Sequence, residues 1–158
     1  MGRMYQTMTA AVAVTTAIDI WEILAATAKP IRIHGWTLSQ TTDLGDAAEE
    51  VLRINEVRGV GTVTSGSGGT SPTVHPLDDN DAANGSTVEA NNTTRMAAGT
   101  GSLETLTERG WNIRIPLEVI YTPEMRPRVN PGDRWTLGIV AAPADSVTIS
   151  TSITFEEI

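Results

Sequence analysis

Two-residue alternation of apolar and polar side chains is clearest in the last third of the chain. Val147, Ile149, Ile153 and Phe155 alternate with serines and threonines, the pattern of a strand with one face on a core. Trp135, Leu137, Ile139 and Ala141 share one face just upstream. Before them, Trp111, Ile113, Ile115, Leu117, Val119 and Tyr121 alternate with Asn112, Arg114, Pro116, Glu118 and Ile120, which predicts one strand over 111–121. Pro116 has no backbone donor to give a neighbour, so this strand is expected at an edge or a bulge. Asn130-Pro131-Gly132-Asp133 places proline and glycine where a type II turn favours them. Ala142-Pro143-Ala144-Asp145 turns the chain again.

The first third carries the same pattern with interruptions. Met8, Ala10, Val12 and Val14 alternate with Thr7, Thr9 and Ala11, predicting a half-buried strand over 7–14. Residues 17–28 fit two periods. Ile18, Trp21 and Leu24 have helical spacing, with Thr16 and Asp19 as a cap. Ile18, Ile20 and Glu22 also alternate against Asp19, Trp21 and Ile23, and the close flanking strands favour a strand. After Pro30, Ile31 and Ile33 share one face and Trp36 and Leu38 the other, so the phase changes at Gly35 as at a bulge. Leu52 and Ile54 alternate with Arg53 and Asn55 until Glu56-Val57 breaks phase. A polar connector, Thr41 to Gly45, joins these two strands, and Asp46 and Glu49 have capping-box spacing for one helical turn.

Residues 61–101 are different in character. They hold Gly66-Ser67-Gly68-Gly69 and the acidic run Asp78-Asp79-Asn80-Asp81, and only Thr87 to Ala90 hints at a strand. A loop of this length in a compact domain is usually functional or mobile. Contacts with a partner are expected there. The sum is about eight strands, turn-rich joints, a long irregular insertion and no convincing helix, which is an all-β sandwich or barrel in a single domain over 1–158.

Composition narrows the function. The chain has 158 residues and a net charge of -8, with 11 scattered basic residues. Nucleic acid needs a clustered basic surface, so it is not an expected partner, and neither is a membrane. Cysteine is absent, which removes disulfides and thiolate metal sites. The apolar run Ala10 to Val14 is too short for a signal core, so synthesis in the cytoplasm is expected.

Catalytic chemistry is thin. His34 and His75 are the two histidines, and neither has the H-x-H neighbour of a cupin-type metal site. Asp78, Asn80 and Asp81 suggest calcium, yet the ligand order of an EF-hand is missing and a solvated acidic loop is the better reading. No nucleophile elbow, P-loop or dinucleotide fingerprint occurs. Neither an enzyme nor a bound cofactor is expected. Trp21, Trp36, Trp111 and Trp135 could form a sugar-stacking platform, but each sits in an alternating strand, which favours core packing.

Several segments, in order and spacing, resemble the head decoration (capsid cement) proteins of tailed bacteriophages. They are Ile31 to Gln40 leading into Asp43 to Glu50, then Arg58-Gly59, Thr64 to Gly69 before Pro76-Leu77-Asp78, and Thr87 to Thr94. The Pro123-Glu124 turn, Pro131-Gly132, and Ala141 to Asp145 before the last strand complete the pattern. The chain departs from it at Thr27-Ala28-Lys29-Pro30, where a Gly-Lys turn belongs, and at Glu56, where an apolar residue fits. The resemblance implies a jelly-roll sandwich, often a trimer, that binds the major capsid protein on the outer face of a virion and clamps its subunits. Such a clamp uses loops or an N-terminal arm. Residues 1–6, with Arg3, Met4 and Tyr5, are read as that arm, with a frayed terminus as the equal alternative. Asp78, Asp79 and Asp81 are the expected loop contacts. The rival is a carbohydrate-binding or receptor-binding jelly-roll module of a virion.

Overall fold

The computed structural model of the chain describes residues 2–41 and 49–158. The connector and capping pair expected between Thr41 and Glu49 fall mostly on 42–48, outside the described residues, as does most of the Asp43 to Glu50 segment. Eleven strands are described: β1 (Arg3–Val14), β2 (Ile18–Leu24), β3 (Ile31–Gln40), β4 (Val51–Val60), β5 (His75–Pro76), β6 (Thr87–Asn92), β7 (Ser102–Asn112), β8 (Leu117–Ile120), β9 (Arg128–Val129), β10 (Arg134–Ile139) and β11 (Val147–Glu157). Among the described residues the one helical element is a 3-10 turn at Pro123–Met125.

The strands form two packed antiparallel sheets, so the chain is a β-sandwich. Sheet A has the order β5-β1-β11-β3-β8, with β9 also paired to β3, and sheet B the order β6-β2-β10-β4-β7. From β1 to β4 each strand crosses to the other sheet. Residues 17–28 supply a strand and not a helix: every side chain from Ile18 to Ile23 is buried, and β2 is paired on both sides. The Trp21 indole N–H donates across the interior to Thr151 Oγ1 at 2.9 Å.

β11 lies between β1 and β3, and its alternation is strict, with Val147, Ile149, Thr151, Ile153, Phe155 and Glu157 all buried. The expected bulge in β3 is present. Gly35 pairs with Thr154 and Ile33 with Phe155, which leaves His34 as the extra residue. That one-residue insertion turns two apparent faces into one, so Ile31, Ile33, Trp36 and Leu38 all enter the core. The turn at Asn130 to Asp133 closes with Asp133 N–H on Asn130 O at 3.0 Å, and Gly132 has φ 81 as a type II turn requires.

Two strands differ from expectation. β1 begins at Arg3, so residues 3–6 form paired strand and not an arm. Tyr5 and Thr7 face the core, whereas Met8 is 60% exposed. The Thr7 hydroxyl donates to Thr73 O at 2.8 Å, which is why a polar residue sits inside. A bulge between Thr9 and Val12, with Ala11 at φ 53, then restores Val14 to the core. Residues 111–121 do not form one strand either. β7 ends at Asn112, whose side chain accepts Arg114 N–H at 3.0 Å and whose carbonyl accepts Ile115 N–H at 3.0 Å. That turn leaves Ile115 exposed, and Pro116 directly precedes β8, an edge strand of sheet A.

Residues 61–101 are ordered as a ribbon. Bridges Thr64 to Ala97, Ser67 to Thr94 and Thr70 to Ala90 join its two legs, and β5 and β6 lie within it.

Candidate interaction surface

The two sheets present different outer faces. On sheet B the ribbon reaches two carboxylates that β2 carries, Asp19 and Glu22, each 1% exposed. Glu22 Oε1 accepts Arg134 Nη1 at 2.7 Å and Ser65 Oγ at 2.8 Å, and Oε2 accepts Gly66 N–H at 2.9 Å and Asn92 Nδ2 at 3.1 Å. Asp19 accepts Arg95 Nε at 2.8 Å and the Met96 N–H at 2.6 Å. Burial raises the Asp19 pKa from its ordinary range, against the opposing pull of Met96 N–H and Arg95. Arg95 lies so close to the backbone of β10 that a Cβ at Gly138 would collide with its guanidinium. Two small crevices remain at the ribbon, one of about 170 Å³ lined by residues that include Asn55, Arg95, Met96 and Leu103, and one of about 180 Å³ lined by residues that include Gly66, Gly69, Glu89 and Asn92. Over β2 and the adjoining part of β10 this face is covered by structure from within the chain, whereas Val51 on β4 and Leu103 on β7 stay exposed.

The outer face of sheet A has no such cover among the described residues. A shallow groove of about 300 Å³ runs over it, lined by Met4, Gln6, Glu118, Ile120, Ser152 and Thr154. His34, displaced outward by the bulge, pairs with Glu156 in this region at 3.0 Å. Beside it, at the β1 edge, a larger groove of about 530 Å³ is lined by Gln6, Met8, Pro72, Thr73, His75 and Leu77. Ile120, Met8 and Leu77 are 76%, 60% and 55% exposed around these grooves.

The residues expected to make contacts come together here, with altered roles. Arg3 Nε lies 3.4 Å from Asp81 Oδ1, so the chain start and the acidic loop are neighbours. Met4 O accepts Leu77 N–H at 2.9 Å. Tyr5 is fully buried, 5.6 Å from Phe155 between ring centroids, and its hydroxyl donates to Ala82 O at 2.9 Å. It is a core residue and a tether for the loop. Asp78 accepts both the backbone N–H and the side-chain amide of Asn80, at 3.0 and 3.1 Å, and these bonds hold its pKa below the ordinary value. Asp79 is exposed. No group of three or more His, Asp or Glu able to hold a metal ion occurs among the described residues, so the three aspartates do not converge as ligands.

All four tryptophans are buried. With Tyr5 and Phe155 also buried and Tyr121 half-buried, no aromatic face is free to stack on a sugar. Tyr121 donates its hydroxyl to Glu56, which also accepts Thr107 Oγ1 at 3.1 Å and lies 3.7 Å from Arg109. Burial, followed by the Glu56 carboxylate, raises the Tyr121 pKa well above the usual phenol range. This explains an acid where an apolar residue was expected.

Sequence reading gave Asp19 only a capping role and Glu22 only a place in the alternation, and passed over Arg95 and Arg134. The available signal was two acids inside the apolar run Ile18-Asp19-Ile20-Trp21-Glu22-Ile23, since a buried strand keeps charge only where partners exist.

No family model matches the chain, and no curated protein matches it. Among solved structures it aligns with T=1 particles derived from infectious bursal virus at 15% identity and with infectious bursal disease virus Gx strain at 16%. The alignments cover 97% and 98% of this chain but 37% and 40% of those chains, with TM-scores of 0.15. Scores this low carry no argument about fold or function. No helix among the described residues is long and apolar enough to cross a membrane.

Proposed function

We propose that the chain is a non-enzymatic virion component that lies on the outer surface of a capsid, assembles as a trimer and holds neighbouring capsid subunits together. The observation that carries this reading is the asymmetry of the sandwich. The β2 side of sheet B is covered by its own ribbon through Asp19 and Glu22, while sheet A and the β1 edge remain open and flank the Arg3–Asp81 pair. A rigid module with one sheet face left uncovered suits a protein that must lie flat against a larger surface. The strand orders β1-β11-β3-β8 and β2-β10-β4-β7 we read as the two Greek keys of a jelly roll, a fold that viral capsid domains, lectins and cupins share. Fold alone therefore does not choose among them. The buried aromatics weigh against the lectin-like option.

The test is co-sedimentation with purified heads of tailed bacteriophages, together with native mass by light scattering across a dilution series. Saturable pelleting with heads and a mass of three chains are expected. A monomer that ignores heads and whose tryptophan emission is quenched by oligosaccharides would sink the proposal.

A further inference from the structure

β1 pairs with β11 from Arg3 to Val14 on one side. On its other side β5 pairs with it only at Tyr5 and Gln6. From Met8 to Val14 that edge has no strand partner among the described residues. No Asp, Glu, Lys or Arg occurs from Met4 to Ile18. The outer strands β6, β7 and β8 do carry charge, with Glu89 on β6, Glu104, Glu108 and Arg109 on β7 and Glu118 on β8, and the short outer strand β5 carries Pro76. Natural sheets protect free edges with charge, proline or bulges, because an open row of N–H and C=O groups is a template for another strand. β1 keeps only the bulge between Thr9 and Val12. At the Met8 end of that edge lies the 530 Å³ groove, with Met8 and Leu77 exposed on its walls.

We propose that the β1 edge from Met8 to Val14 accepts an extended, uncharged strand from another protein chain, with one apolar side chain seated against Met8 and Leu77. Backbone hydrogen bonds would supply the affinity of such an added strand and the groove its specificity. This rests on the shell-binding reading, in which the strand belongs to the capsid subunit. A second copy of this chain fits less well. Pairing β1 with itself is an isologous, twofold contact, which sets bulge against bulge and cannot lie on a threefold axis. A charged ligand finds no counter-charge along the edge.

The test uses the full chain, the double variant Ala10→Lys/Ala13→Lys and purified phage heads. Both alanines are exposed, so the circular dichroism spectrum and melting temperature should match the parent. Head binding should weaken at least tenfold, and amides 8–14 of the bound parent should exchange more slowly than in the free protein. Full binding by the variant, or unprotected amides 8–14 on the head, overturns the edge docking and leaves the shell reading intact. No binding of heads by the parent removes both. If the parent self-associates and the lysine pair abolishes that, the occupant is a second copy and the proposal is wrong.

Discussion

Glu22→Gln is the substitution whose cost the structure sets most narrowly. Four donors converge on this carboxylate, at 2.7, 2.8, 2.9 and 3.1 Å. Glutamine keeps the size but turns one oxygen into a donor, so two of the four face an N–H in place of an acceptor. Each buried donor left without a partner costs about 1–3 kcal/mol. Arg134 also loses its counter-charge, which costs about 3–5 kcal/mol for a fully buried pair. The Arg134 side chain is 19% exposed, so water recovers part of that. The net expectation is a loss of about 3 kcal/mol, or about 6–12 °C in Tm for a domain of this size. Urea unfolding followed by tryptophan fluorescence measures it, and an unchanged m-value would show that the two-state comparison holds. Native-state hydrogen exchange adds location, because Gly66 N–H should open before the sandwich does. A loss below about 1 kcal/mol would refute the view that this carboxylate holds the ribbon down, since a single neutral hydrogen bond contributes as much.

Asp19→Asn tests the raised carboxyl pKa. The folded value lies above the ordinary 3.8, so Asp19 favours the folded state fully below that pH and loses this contribution as pH rises through the folded value. The stability of the parent minus that of the variant should therefore fall with rising pH above about 3.8, and a difference that rises instead would contradict the assignment. Tyr121→Phe removes the donor to Glu56 and the acceptor of the Trp36 indole N–H at 3.4 Å, so a loss of about 1–3 kcal/mol is expected in chemical unfolding. Gly132→Ala should cost about 1 kcal/mol by thermal unfolding, all of it conformational: φ is +81 and nothing lies within 4 Å of an added Cβ. A neutral Gly132→Ala would mean that the turn shifts freely.

What was legible in the sequence follows from how each strand is buried. β11 sits inside its sheet with one face on the core, so its alternation is unbroken. The β3 bulge was legible because the apolar phase changes across it. β7 was not, because it is an edge strand whose residues 102–110 are half-buried or exposed, so threonine and glutamate replace the apolar signal. The start of β1 was missed for a related reason. Its buried residues are Tyr5 and Thr7, and a threonine inside does not register as core unless the Thr73 carbonyl that satisfies it is known. The Arg3–Asp81 pair joins residues from two loci that were singled out separately, and their meeting depends on β5 pairing with β1, a two-residue contact without a pattern of its own. Apart from the strand hint at Thr87 to Ala90, which is β6, the ribbon could not be read from local propensity, since Gly, Ser and Thr dominate it and its order comes largely from residues on β2.

The placement of Asp19 and Glu22 bears on why the ribbon is charged beneath and not apolar. Apolar side chains on the outer face of β2 would also be covered by the ribbon, and burying them costs no desolvation of charge. An apolar patch, however, accepts a flexible Gly/Ser/Thr segment in many registers. A carboxylate accepts it only where N–H groups converge, at Gly66 and at Met96. Glu22 holds both legs of the ribbon, at Ser65-Gly66 and Asn92, and Asp19 holds the second leg at Arg95-Met96, so together with the Ser67–Thr94 bridge they fix the register of the ribbon. That fixed register sets where β5 emerges, and β5 determines how much of the β1 edge is covered. The ribbon-covered side of the sandwich thus shapes the open one.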